Sequence, residues 1–307
     1  MQFADYIVSY ALQANTDCLQ RLLGGAELSG KDIRQLRRNS ERLQSLWQMM
    51  HWSVGKAPYR AGMQRLEEVQ AVLPAGARWI DQAATQLLTK VDDRKTTDAI
   101  EAARQGVLDL QLSPLDPAGG VLDLDRLSCL FQDESECWRD YALLRKVQDY
   151  DLIEHGIGRA YGKSRRLGER LLQQPHSSRR LRRTHRWVRH SVNHLELLRP
   201  ALSQSNKARA WFLDRLGANL EKQINVMQFC ANARSLKMKS KVGARLERVA
   251  ENRCRRLAEQ TAKLVAGAFQ DSDEAFIRAV ADDVKKLGLQ EIVLLPVDGL
   301  KVNNETG

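Results

Sequence analysis

Residues 207–233 read KARAWFLDRLGANLEKQINVMQFCANA. After Trp211, the apolar residues Leu213, Leu216, Leu220, Ile224 and Met227 recur three or four positions apart. That is the spacing of one helical face, not the alternation of a strand. The stretch holds no proline, and none lies anywhere between Pro200 and Pro296. A proline-free run of that length suits long helices and argues against a chain of many short strands.

The same period extends outward in both directions. Towards the N-terminus, Phe3, Ile7, Tyr10, Ala11, Ala14, Cys18 and Leu22 predict a helix over 3–23, stopped by Gly24 and Gly25. Ser29 is a suitable N-cap for a second helix reaching about Trp52, with Ile33, Leu36, Leu43, Leu46, Trp47 and Met50 on its apolar face. Ala57-Pro58 opens a third helix that ends near Pro74, a fourth covers about 75–91, and a fifth covers 98–111 after a polar turn at 92–97. Beyond the midpoint, Asp123 to about Asp149 reads as one or two helices, and Leu152–Gln174 as a strongly basic one. Pro175 breaks that helix, and Ser177 or Ser178 caps the next, which runs to Pro200. Further helices are expected from Lys239 to about Phe269 and, capped by Asp271 or Ser272, up to Lys286. Glu291–Pro296 (EIVLLP) is expected to be a short extended strand.

The reading is all-α, as antiparallel helical bundles with short connections. Ser113–Gly120 concentrates two prolines and two glycines and is the clearest break. It divides an N-terminal helical half (1–112) from a C-terminal one (121–290), followed by a tail (291–307), the whole forming one domain. At 307 residues the chain can support one large core or two smaller ones.

Charge is the strongest functional signal. The chain carries a net +10, and residues 155–194 alone hold eleven Lys or Arg against a single acid, Glu169. A field concentrated in this way calls for polyanionic partners. Two helices carry basic stripes. One collects Lys31, Arg34, Arg38 and Arg42, flanked by Arg37; the other collects Arg182, His185 or Arg186, and Arg189, with His190 one residue away. Like charges on one face repel by roughly 0.2–0.5 kcal/mol per i,i+4 pair, a strain that a bound polyanion would relieve. Arginine suits the task because its fork pairs two oxygens of one phosphate.

Other chemistry is not visible in the sequence. Five cysteines (Cys18, Cys129, Cys137, Cys230, Cys254) form no CxxC pair and fit reduced thiols in a cytoplasm. His190 and His194 stand four apart, but no HExxH motif or third ligand accompanies them, so no metal or other cofactor is expected. These histidines are expected to take up a proton beside a polyanion, strengthening binding at lower pH. No Walker-type loop or GxSxG turn is present. No enzymatic activity is expected, nor any membrane span or secretory leader. Tyr161, Trp187 and Trp211 lie among the basic residues, where they could stack bases, although helical spacing makes most aromatics core residues.

Residues 181–200, LRRTHRWVRHSVNHLELLRP, resemble the second signature helix of the CHAD family, the conserved histidine α-helical domain. In that family the helix opens with a His followed by basic residues; here Arg182 opens it, followed by His185, Arg189 and His190. Gly158–Arg166 (GRAYGKSRR) resembles the family's Tyr-and-Arg helix. Leu213–Gly217 with Glu221 resembles its Leu-Gly and acidic positions. Lys31-Asp32-Ile33-Arg34, continuing through Arg38 and Arg42, is similar to the N-terminal signature, and Tyr59-Arg60 to the start of the following helix. Both signature histidines are replaced by cations, Lys31 and Arg182.

The resemblance spans roughly residues 3–286 and implies two four-helix bundles about a pseudo-twofold axis with a central basic groove. It also implies non-catalytic binding of inorganic polyphosphate and association with polyphosphate granules. Its implied groove residues are Lys31, Arg34, Arg38, Arg42, Arg60, Tyr161, Lys163, Arg165, Arg166, Arg182, His185, Arg186, Arg189 and His190, with Tyr161 donating a hydrogen bond. The alternatives are non-specific nucleic-acid binding and a protein-interaction scaffold in which the polyphosphate site has decayed.

Overall fold

Every element of the computed structural model is helical among the residues it describes, which are 3–24, 28–73, 78–89, 91–112, 122–144, 149–236 and 238–287. In order they are α1 (Phe3–Leu23), α2 (Gly30–Val54), α3 (Lys56–Val72), α4 (Arg78–Leu88), α5 (Arg94–Leu112), α6 (Leu124–Leu144), α7 (Asp149–Asp151), a π-helical segment (Leu152–Gly158), α8 (Arg159–Gln173), α9 (Ser178–Leu197), α10 (Gln204–Arg234), α11 (Ser240–Ala268) and α12 (Asp273–Leu287). The break at 113–120 and the strand expected at 291–296 lie outside the described residues.

Serines open several of these helices. Ser29 accepts from the Asp32 amide while the Asp32 carboxylate reaches back to the Ser29 amide, a reciprocal capping box. Ser177 caps α9 and Ser203 caps α10. The Ser203 cap starts α10 at Gln204, three residues earlier than the apolar period suggests, because polar residues before Lys207 already belong to its first turn. Likewise α5 begins at Arg94, where Asp93 receives the Lys95 amide and the Thr96 hydroxyl, so part of the expected 92–97 turn is helix.

Two apolar clusters hold the molecule. The larger joins α1, α2, α3, α6, the π segment, α8, α9 and α12 with the first half of α10 and the end of α11. The smaller joins α4 and α5 with the second half of α10 and the start of α11, through Ile80, Leu87, Ile100, Val107, Phe229 and Leu246. The α4–α5 pair thus packs on α10 and α11, while α6 lies along α1 and α3. Residues from both sides of the 113–120 break therefore share each core.

Two glycines shape the region where the basic helices meet α2. Gly55 takes φ +81°, a conformation that disfavours side chains, and so turns the chain directly from α2 into α3. At Gly156 a Cβ would come within 2.7 Å of the Met49 carbonyl oxygen, so only glycine lets the π segment close on α2.

Candidate functional site: a basic helical hairpin

α8 and α9 form an antiparallel pair. The cross-contacts Ser164–Ser191 (3.0 Å), Thr184 to the Leu167 carbonyl (3.4 Å) and Arg180 to the Arg170 carbonyl (2.8 Å) run in opposite directions along the two helices. Ser164, Thr184 and Ser191 are buried, and small hydroxyl side chains at these crossings let the helices approach closely. Gln223 of α10 donates to the Pro175 carbonyl (2.8 Å) and anchors the connecting turn. Leu167, Leu171, Leu181 and Val188 face the core.

The opposite face is basic. Arg159, Arg170, Arg179, Arg182, Arg183 and Arg186 are exposed, and none forms an ion pair with a described residue. An open hollow of about 370 Å³ lies at the turn end, lined by Leu167, Arg170, Ser177, Arg179, Arg180 and Arg183. Lys163 sits 4.2 Å from the Trp187 ring centroid. Its pKa is lowered from the usual lysine value, first by desolvation and then by the charges of Arg159, Arg183 and Arg166. Partial burial dominates that shift; two of the three charges belong to α8 itself and only Arg183 comes from α9.

The expected site residues fall into distinct environments. Lys31, Arg34 and Arg38 are exposed along the first half of α2, Arg42 bonds Asn39 (3.3 Å), and Arg60 is exposed on α3. Arg37, which flanks that stripe, turns away to bond the Leu73 carbonyl (2.6 Å) and Gln70 (3.2 Å) of α3. Arg165 and Arg166 both pair with Asp273 of α12, at 3.3 and 3.4 Å. Arg182 bonds Gln228 (3.1 Å), and Arg186 faces solvent. Arg189 stands between Glu41 (3.7 Å) and Asp214 (3.8 Å). The Glu41 carboxyl is raised above the usual carboxylate range by desolvation, with Arg189 opposing and Glu221 adding to the rise. Since 48 % of the Glu41 side chain still meets solvent, this recess is open on one side.

Three of the expected groove residues need correction. Tyr161 is fully buried, stacked on Phe276 at 3.9 Å between ring centroids, with its hydroxyl 3.4 Å from the Ala268 carbonyl. It is a core residue because its position on α8 faces α11 and α12. His190 is buried and bonds the Ser45 hydroxyl through Nδ1 (2.9 Å). The Nε2 of His185 is shut off from solvent, with no hydrogen-bond partner among the described residues.

Burial, joined by neighbouring positive charge at His185 and His190, pushes His185 down to about 4, His190 to about 3 and His194 to about 4. They are neutral near pH 7, so the expected proton uptake beside a polyanion does not fit their surroundings. His194 bonds the Ser45 carbonyl through Nε2 (2.8 Å), and no group of three possible metal ligands is assembled among the described residues.

The hairpin also presents residues absent from the expected set. Arg159, Arg170, Arg179, Arg180 and Arg183 were visible in the charge count, but only the antiparallel register brings the two helices' cations together. At the far end, Trp52 is 65 % exposed and packs on His155 (4.7 Å), while His51 packs on Tyr59 (4.2 Å) and lies 3.4 Å from Arg159. Trp52 lies on the side of α2 opposite Leu36, Leu43 and Met50, as the helical period of those residues requires. Trp211, on the side of α10 opposite its apolar face, is likewise 54 % exposed, beside Arg215.

No family model, curated protein or solved structure matches the chain.

Proposed function

We propose that the chain is a non-catalytic, CHAD-like protein that binds inorganic polyphosphate on the α8–α9 surface. The observation that carries this reading is the set of six exposed arginines, drawn from two helices and without an acidic partner among the described residues. A flexible phosphate chain can follow such a surface, with each guanidinium pairing two oxygens of one phosphoryl group. Each pairing releases counter-ions, so affinity falls steeply as salt rises. On this reading α2 and α9, which meet at Ser45, are the helices that the family's pseudo-twofold axis relates within its paired bundles. Residence in the cytoplasm and association with polyphosphate granules belong to the same proposal.

The test is binding of labelled long-chain polyphosphate at about 150 mM salt, where screening acts over about 8 Å. Duplex DNA and duplex RNA serve as competitors. Tight binding that duplex competitors displace poorly at equal phosphate concentration supports the proposal. Equal displacement replaces it with non-specific nucleic-acid binding. Absence of polyphosphate binding replaces it with a protein-interaction scaffold.

A further inference from the structure

We infer that the α2–α3 end of the basic surface is a stacking platform for the bases of single-stranded nucleic acid. The inference rests on reading the α8–α9 face as a site for phosphate chains, and adds a second chemistry to it.

Three separate ring contacts follow one another along this edge, two of them beside a cation. Trp52 packs on His155, and one turn further along the same helical stretch Arg159 reaches His51, whose ring packs on Tyr59. One more turn brings Lys163 over Trp187. Arg159 and Arg186 lower the Tyr59 pKa, and Glu67 raises it, against a dominant rise from burial, so two guanidinium groups and one carboxylate act on that ring.

A tryptophan 65 % exposed on a helix end forgoes most of its own burial. Here His155 supports the ring, and most of its surface is left to solvent. A purely inorganic phosphate chain has no planar group to place on it. A single strand has both the phosphates for the arginines and the bases for the rings, and base–aromatic stacking accepts any base. Duplex DNA, whose bases face each other, cannot use the platform. The rise from His155 to Lys163 is about 12 Å, room for on the order of three stacked nucleotides.

The test compares three probes on the full chain: an oligo-dT, an abasic oligonucleotide of the same length, and polyphosphate. Oligo-dT is expected to bind about 5- to 100-fold more tightly than the abasic strand and to quench tryptophan fluorescence. Trp52→Ala is expected to remove most of that difference, with polyphosphate affinity unchanged within about twofold, while Trp52→Phe keeps a large part of it. Helix content measured on both variants guards against misfolding.

Equal binding of oligo-dT and the abasic strand overturns the inference, as does a Trp52→Ala variant that weakens polyphosphate and oligo-dT alike. Loss of polyphosphate binding alone, with the preference for bases intact, removes the polyphosphate reading and leaves the platform standing.

Discussion

α2 and α9 look alike in sequence and are used in opposite ways. Each opens on a serine cap, runs through an arginine-rich turn and ends in a buried half. On α2 the cations stand alone. Asp32 is tied to Arg21 (2.9 Å), Arg37 is turned into α3, and Glu41 interrupts the stripe. On α9 they are doubled by those of α8, because the short turn at 174–177 lays two basic faces side by side. The lesson is that a stripe on one helix sets a charge density, whereas a hairpin register sets a site. The buried halves differ too. That of α2 is largely apolar, with Leu43, Leu46, Trp47, Met49 and Met50, while that of α9 places His190 and His194 against Ser45.

The largest expected effect breaks the comparison from the α9 side by acid. His185, His190 and His194 have folded-state pKa values lowered to about 4, 3 and 4, against about 6.5 in an unfolded chain. The unfolded state binds protons first, so their neutral burial is fully tolerated above about pH 6.5 and opposes folding as pH falls towards 4. Each histidine then costs on the order of 2 kcal/mol by pH 5. Urea melts at pH 7.5 and 5.0 should show a marked loss of stability, and His190→Gln should flatten that dependence. An unchanged midpoint between the two pH values would contradict the buried, neutral assignment.

Next comes the contrast in binding. Arg170→Glu, Arg183→Glu and Arg186→Glu together should lower polyphosphate affinity at least 100-fold, by removing three pairings and adding repulsion. The matched triple Lys31→Glu, Arg34→Glu and Arg38→Glu should change it about threefold, through the long-range field alone. All six side chains are exposed, so helix content should survive in both variants. Equal losses would mean that the α2 stripe is part of the site.

These two regions also measure what was legible in the sequence. The all-helical class was readable from the period of α10 and the absence of proline, and the cores of α1 and α2 follow the expected faces at Ile7, Cys18, Leu36 and Leu43. The packing of α4 and α5 on α10 and α11 was not readable, since an apolar face does not name its partner. The concentration of charge in 155–194 was countable, but Tyr161 and His190 entered the expected site through the family resemblance, and a matched motif does not show which side of its helix is buried. Trp52 stands on the side of α2 opposite Leu36, Leu43, Met50 and the buried Val54, so the helical period places it off the core face, but it does not show that His155 packs against it there.

A smaller effect tests the polar seam where the two helices meet. The Ser45 hydroxyl contacts His190 Nδ1 (2.9 Å), accepts from Asn193 (2.9 Å) and lies 2.9 Å from the Glu41 carbonyl. Ser45→Ala strands the buried His190 nitrogen, while the partly exposed Asn193 amide keeps the Glu41 carbonyl (3.4 Å), a cost of about 1–2 kcal/mol. A chemical-denaturation midpoint lowered accordingly, with polyphosphate affinity unchanged, would keep the seam structural. A loss of binding would place it in the site.

The smallest effect asks whether Arg189 can be returned to the basic surface. It is the residue through which the second stripe touches α2, and it stands between two carboxylates, Glu41 and Asp214, at 3.7 and 3.8 Å. Separations that long give loose ion pairs, and partly exposed pairs of this kind contribute about 0.2–1 kcal/mol each. Glu41→Gln keeps the side-chain shape, removes one of the two negative charges, and relieves the repulsion that Glu221 exerts on the Glu41 carboxyl. A polyphosphate chain passing Arg189 would then gain one partly freed cation, raising affinity about two- to fivefold with a slightly steeper salt dependence. A chain confined to the α8–α9 surface would gain only the weak long-range field, and the salt slope would stay fixed. The salt dependence of the Glu41→Gln variant therefore shows whether the recess between α2 and α9 lies on the ligand's path, even though the change in affinity is small.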